Sequence, residues 1–470
     1  MSRNRPRNLP TVTDLLESPP LAGLVDRLSR NFVVGAAGRV LDEVCRELQT
    51  AATDRTLPNV AELAERIARR IVERELPELR SWINATGIVF HPELGSPPLG
   101  DAALDAMRAV AADYAGAGAD STGRGPPTLP AAVVERELCA RSGAEAALVV
   151  NNGSAAMLLC LAGLASGREV VVARGQVVEL DDGGRLPDLI EAAGAVLRAV
   201  GTTDRVHGDD YAQALSGATG AMLAVRRPSQ AAATAGEFPL PELAALARKW
   251  GFPLICDIGF GPPWPIGLEA VDGEPNAADV LRAGAGAVLV RGNGLLGGPQ
   301  SAVLMGGADY IERLRSHPML PALVPPLPTI AALKATVKLD ADPQHARYAI
   351  PTRRLLVTSP ENLRNRAERL APQMAVVKGI AEVQVRESAT GLTGPSVSGR
   401  AIPTWQIVLR PKASTSRALK KTLSEGKQPV LTSGNEEHVV LDLRTVLPRQ
   451  DIGLVTAVES AFRSKSDPSA

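Results

Sequence analysis

Gly292-Asn293-Gly294-Leu295-Leu296-Gly297-Gly298-Pro299-Gln300 lies between two apolar runs, Ala287-Val288-Leu289-Val290-Arg291 before it and Ser301-Ala302-Val303-Leu304-Met305 after it. Two strand-like runs split by a glycine-rich turn predict a loop with a functional or a packing demand. Gly292, Gly294 and Gly297 match G-x-G-x-x-G literally. A dinucleotide fingerprint needs a helix directly after it and an acidic residue about 20 positions on. Here a strand-like run follows in place of the helix, so the dinucleotide reading fails on context.

Outward from this loop, short Val/Ile/Leu/Ala-rich runs alternate with helical periods from Trp82 to about Asp340. Ala147-Leu148-Val149-Val150, Glu169-Val170-Val171-Val172, Ala221-Met222-Leu223-Ala224-Val225 and Pro253-Leu254-Ile255-Cys256-Asp257 are such runs. The alternation predicts a mostly parallel sheet covered by helices, with ligands at the carboxyl ends of its strands. Residues 1–80 instead carry apolar residues at three- and four-residue spacing, around Asp14 to Glu17, Leu21 to Leu28, Val40 to Leu48 and Val60 to Leu79. That spacing predicts a helical N-terminal domain, with Pro19-Pro20 and Pro58 as separators. Residues 341–470 read as a smaller α/β domain, with a helix over Glu361 to Met374. Its strands are expected at Ala381 to Arg386, Thr404 to Leu409 and Val439 to Leu443, and Lys412 to Lys427 forms a basic, polar stretch between the last two. The expected division is therefore 1–80, 81–340 and 341–470.

The chain has 470 residues and a formal net charge of zero, so bulk electrostatics favours neither nucleic acid nor membrane. No uninterrupted apolar run has membrane-spanning length, and no signal-peptide pattern opens the chain. Cys45, Cys139, Cys160 and Cys256 are scattered without a C-x-x-C pair, as in reduced thiols of a cytoplasmic protein. The five His residues are equally dispersed and give a metal site no support. Arg3-Asn4-Arg5-Pro6-Arg7 is an arm able to touch phosphate or to remain solvated, and Ser464 to Ala470 reads as a disordered end.

The loop resembles the segment around the cofactor lysine of the bacterial selenocysteine synthase (L-seryl-tRNA(Sec) selenium transferase) family, approximately S-G-D-K-L-L-G-G-P-Q. Leu295 to Gln300 fit residue for residue; Gly294 stands for the lysine, Asn293 for the Asp and Arg291 for the Ser. Further matching blocks are Ile83 to Val89 with His91 and Leu94-Gly95, Gly143 to Ala147, and Val150-Asn151-Asn152. Arg174-Gly175 with Arg185 and Pro187-Asp188, Gly201-Thr202-Thr203 with Arg205, His207 and Asp210-Tyr211, and Asp442-Leu443-Arg444-Thr445 match others. The resemblance implies a fold-type I aminotransferase-like large domain that uses pyridoxal 5'-phosphate. It also implies a site completed by a neighbouring subunit, hence a homodimer or larger assembly, and tRNA as a partner of the N-terminal domain. This counterpart mixes acids with its arginines, so tRNA binding is expected to be weak.

The same resemblance assigns candidate cofactor residues. Asp257 takes the place of the Asp that pairs with the pyridinium nitrogen; the alternative is a strand-end Asp capping the next turn. Asn152, Gly153 and Ser154 fall at a strand-to-helix junction whose free N–H groups suit a phosphate, as many α/β junctions do. Asn293 and Gly294 complete the set. The changes concentrate on charged positions. Besides Gly294, the resemblance expects arginine where Ser96, Pro127, Pro321 and Val324 stand, and its H-x-S-N-like segment reads Arg226 to Gln230. No lysine precedes Lys249, which ends a helical stretch; Lys334 and Lys338 are expected on a helix surface. No catalytic residue is assigned and covalent cofactor binding is not expected, which implies a non-catalytic homologue. The alternatives are an active selenium transferase or related lyase, and a tRNA-binding protein. A lysine restored at position 294 is expected to reach the cofactor if Asp257 holds its ring, without by itself restoring selenium transfer.

Overall fold

The computed structural model describes residues 10–27, 30–50, 59–75, 80–115, 130–180, 183–225, 238–394, 401–412 and 414–462. The expectations for Arg3 to Arg7, Arg124 to Pro127, Arg226 to Gln230 and Ser464 to Ala470 lie outside the described residues, as does the side chain of Cys45. The chain divides into two compact units, 1–81 and 82–470.

The first unit is helical, with helices Val12–Leu16, Pro19–Arg27, Arg30–Thr50 and Val60–Glu75. Their apolar spacing turns Leu15, Leu21, Val33, Leu41, Leu63, Ile67 and Ile71 into one buried cluster. Pro19-Pro20 separates the first two helices, as expected, and opens the second of them. Proline is tolerated in a first turn because its missing N–H has no intrahelical partner there.

The second unit contains two sheets. In chain order the strands are β1 (Ile83–Ala85), β2 (Ala146–Val150), β3 (Glu169–Ala173), β4 (Val196–Val200), β5 (Thr219–Val225), β6 (Leu254–Asp257), β7 (Ala287–Arg291), β8 (Ala302–Gly306), β9 (Ile380–Thr390), β10 (Ile402–Pro411), β11 (Val430–Gly434) and β12 (Val439–Asp442). The seven-stranded sheet has the order β2-β8-β7-β6-β5-β3-β4. Neighbours from β7 through β4 run parallel, while β8 is antiparallel to both β7 and β2. Residues such as Val171, Leu223, Ile255 and Leu289 are fully buried, as a sheet covered on both faces requires. Parallel β5, β6 and β7 bring their carboxyl ends to one edge, where Asp257 and Arg291 emerge.

The five-stranded sheet has the order β1-β11-β12-β10-β9. It corrects one expected placement: Ile83–Ala85, read as the opening of the large domain, pairs in parallel with Val430–Thr432. Asp442 holds this junction. It accepts from Thr404 Oγ1 at 2.6 Å, Gln406 Nε2 at 2.9 Å and the Arg444 N–H at 2.9 Å. Arg444 donates to the carbonyls of Leu355 at 2.9 Å and Thr358 at 2.5 Å, and also to that of Pro403. Burial pushes the Asp442 carboxyl up and the Arg444 guanidinium down to about 10. Within the basic stretch 412–427 a helix, Ser416–Glu425, buries Leu419 and Leu423. Among the described residues no helix is long and apolar enough to cross a membrane.

Candidate functional site

The glycine loop closes the antiparallel β7–β8 pair, in which Arg291 faces Ala302. Gly292 N–H donates to the Ser301 carbonyl at 2.8 Å and Gly298 N–H to the Gly292 carbonyl at 2.8 Å. A strand follows the loop, as its context in the sequence predicts, so the helix N-terminus of a dinucleotide site is absent here.

At the end of β6, Asp257 is 1% exposed; at the end of β7, Arg291 is 3% exposed. Their side chains form a two-pronged ion pair, Nη1 to Oδ1 at 3.1 Å and Nη2 to Oδ2 at 3.0 Å. Asp257 Oδ1 also accepts the Gly259 N–H at 2.9 Å. The turn-capping alternative for Asp257 is therefore realised, and its other bonds go to Arg291. Such bidentate carboxylate pairs have the geometry that suits arginine over lysine. The guanidinium lies against the first residue of the helix Gly153–Ala165. A Cβ on Gly153 would stand 2.0 Å from Arg291 Nε and 2.1 Å from its Cζ. Asn152 caps that helix, its Oδ1 accepting the Ala155 N–H at 2.8 Å. Ser154 sits in its first turn, with its Oγ 2.4 Å from where a Cβ on Gly184 would lie.

Gly294 is held against the main chain of Phe260. A Cβ there would meet the Phe260 carbonyl oxygen at 2.6 Å, its Cα at 2.8 Å and its carbonyl carbon at 2.9 Å. Leu295 N–H donates to that same carbonyl at 2.9 Å, and the Phe260 ring stacks on Phe90 at 4.4 Å between centroids. These are backbone atoms locked by a hydrogen bond and a ring stack, not a side-chain tip that can turn away. The conditional expectation that a lysine at position 294 reaches the cofactor is therefore corrected: any side chain there requires the Phe260 segment to move, and Asp257 is paired with Arg291. Asn293 Nδ2 donates to Ser96 Oγ at 2.9 Å. Two positions where the resemblance implies opposite charges are thus joined here as neutral side chains. Leu323, from the segment containing Pro321 and Val324, accepts the Asn151 N–H at 2.9 Å, which brings that segment to the start of the Asn152 junction.

Beneath the loop lies a polar cluster that sequence reasoning did not find. Arg353 donates from Nε to the Leu295 carbonyl at 3.3 Å and pairs with Asp340. Asp340 also accepts from Trp264 Nε1. Arg141 donates to the Val337 carbonyl at 2.8 Å and the Asp340 carbonyl at 2.5 Å, with its guanidinium 4.1 Å from the Trp264 ring centroid. No local motif announces these residues, because they meet only through the tertiary fold. Lys249, Lys334 and Lys338 are exposed, as expected from their helical positions.

Residues 82–447 match the family described as L-seryl-tRNA selenium transferase, and residues 6–44 match the one described as Selenocysteine synthase N terminal. The chain belongs to the L-seryl-tRNA selenium transferase family. It is 35% identical over 467 residues to the L-seryl-tRNA(Sec) selenium transferase of Moorella thermoacetica, covering 98% of each chain. It is 32% identical over 445 residues to that of Carboxydothermus hydrogenoformans, covering 94% of this chain and 95% of the relative. A solved D-glucosaminate-6-phosphate ammonia-lyase superposes with a TM-score of 0.58 at 17% identity, covering 86% of this chain and 98% of the lyase. The fold is accordingly α/β, fold-type I aminotransferase-like, with a helical N-terminal region.

The family implies pyridoxal phosphate. The described residues do not fit that group as they stand. Both oxygens of Asp257 are engaged by Arg291, position 294 has no side chain, and the guanidinium covers Gly153.

Proposed function

We propose that this chain is a family member that works without covalently held pyridoxal phosphate, as a binding or scaffolding homologue with no selenium-transfer activity. The observation that carries the reading is the packing at position 294, where Gly294 touches the Phe260 main chain and leaves no room for a reactive side chain. The surviving cradle is weak alone: a helix end contributes about 0.3–2 kcal/mol to an anion. The missing arginines compound the loss, because one absent preorganised charge contact costs roughly 10²–10³-fold in rate. Self-association as a homodimer or larger, and weak, salt-sensitive tRNA binding, belong to the same reading.

A second reading, an active L-seryl-tRNA(Sec) selenium transferase or a related lyase, is favoured by 32–36% identity to such transferases over most of the chain. The two separate in one experiment. Purified protein is incubated with pyridoxal phosphate, seryl-tRNA(Sec) and selenophosphate, beside a relative of established activity. The proposal expects no product above the no-enzyme control; turnover within tenfold of the relative supports the second reading.

A further inference from the structure

Asp257 is a fully buried carboxylate whose two oxygens point into a slot bounded by the ends of β6 and β7 and by the start of the helix Gly153–Ala165. A planar cation occupies the slot, with two parallel N–H donors on the two oxygens, and Gly153 leaves the space its edge requires. We propose that Asp257 forms a seat for a planar amidinium-type cation, that the chain fills this seat with its own Arg291, and that truncating Arg291 exposes a binding site for a free guanidinium. This goes beyond the proposed function. Its test reads the stability of the chain and not selenium transfer.

Three features argue for a dedicated seat. The carboxylate needs a positive partner, because an unpaired buried charge is strongly destabilising. The partner must be flat and two-pronged, a geometry that lysine does not supply. Gly153 is also specific to the occupant. It begins a helix without a positive φ, so alanine there is conformationally acceptable and an intrinsically better helix former; the three atoms nearest a Cβ there all belong to the guanidinium. The residues around the carboxylate are thus fitted to the cation and not only to one another.

The test is a melting series on the full chain. Arg291→Ser should melt below wild type, and ethylguanidinium should raise its melting temperature in a saturable manner, as a ligand specific to the native state does. Ethylurea, uncharged and of similar shape, should have no effect, and neither compound should stabilise wild type or Asp257→Asn/Arg291→Ser. A second arm uses Gly153→Ala, which should lower the melting temperature of wild type and leave that of Arg291→Ser unchanged or higher. Equal shifts with ethylurea, equal rescue of the double variant, or the same cost of Gly153→Ala in both backgrounds would each overturn the proposal. If Arg291→Ser does not accumulate, Arg291→Gln keeps the bulk and removes the charge. It should then be less stable than Asp257→Asn/Arg291→Gln, and the reverse order contradicts the seat.

Discussion

Two buried aspartates, Asp257 and Asp340, are 1% and 2% exposed, and each pairs with a buried arginine. Their surroundings differ. Asp340 gathers Arg353, Arg141 and Trp264, and through Arg353 it reaches the Leu295 carbonyl beneath the glycine loop. It ties the helices Ala132–Ser142, Leu327–Leu339 and Pro351–Val357 to that loop. Asp257 has one charged partner among the described residues, Arg291 at the end of the neighbouring strand, and one turn N–H. The same ion pair is a staple in one place and a site filling in the other. The number of elements converging on the carboxylate decides which.

Breaking the staple should have the largest effect. Asp340→Ala leaves Arg353 buried without its carboxylate and should cost about 3–5 kcal/mol, read as a lower urea midpoint. A cost under about 1 kcal/mol would mean that the cluster is solvated and does not hold the loop. Next comes overpacking on the site side. Gly294→Ala puts a methyl into the Phe260 main chain and should cost about 1–3 kcal/mol, and Gly294→Lys should lose at least as much. Equal stability of Gly294→Ala and wild type in chemical denaturation would show that the Phe260 segment yields freely.

Glu274 sharpens the comparison as a carboxyl with no cation beside it among the described residues. Its Oε2 has no hydrogen-bond partner among the described residues, and burial pushes its pKa up to about 8 from 4.5. The folded state holds its proton where the unfolded state has released it. Stability from this group is therefore fully present below pH 4.5 and is lost as pH rises towards 8. Glu274→Gln should remove that slope and raise stability at pH 8.5 by on the order of 1–2 kcal/mol, after a discount for partial exposure. Parallel pH profiles for variant and wild type between pH 5 and 8.5 would show that Glu274 ionises freely. The smallest effect is expected at Asn293→Ala, which removes one hydrogen bond to exposed Ser96 and should cost about 0.5–1 kcal/mol in a thermal melt; a larger loss would give this contact a structural weight its exposure does not suggest.

The sheet was legible in the sequence because its strands are short apolar runs between helical periods. Ala287 to Arg291 is β7 as read, and Pro253 to Asp257 differs from β6 by one residue. β1 was not legible in its true place. Three residues carry almost no pattern, and their partner strand begins at Val430, far along the chain. At the site, resemblance singled out Asp257, Gly153 and Gly294, and the structure brings Asp257 and Gly153 against the Arg291 guanidinium. The role of Arg291 escaped, although its substitution for a serine was visible. Alternation along a strand tells which face a side chain takes, but not which carboxylate it meets across the sheet. The main-chain contact of Gly294 with Phe260 escaped for the same reason, since a close approach between two loops leaves only a glycine as its trace.

The central claim is that this site holds its own arginine and no covalently bound cofactor. The direct measurement is the intact mass of the purified full-length protein after incubation with pyridoxal phosphate and borohydride reduction, followed by peptide mapping. The account predicts an unmodified chain, or scattered substoichiometric labelling of exposed lysines such as Lys249, Lys334 and Lys338. One stoichiometric adduct on a single lysine, removed by Asp257→Asn, would contradict it.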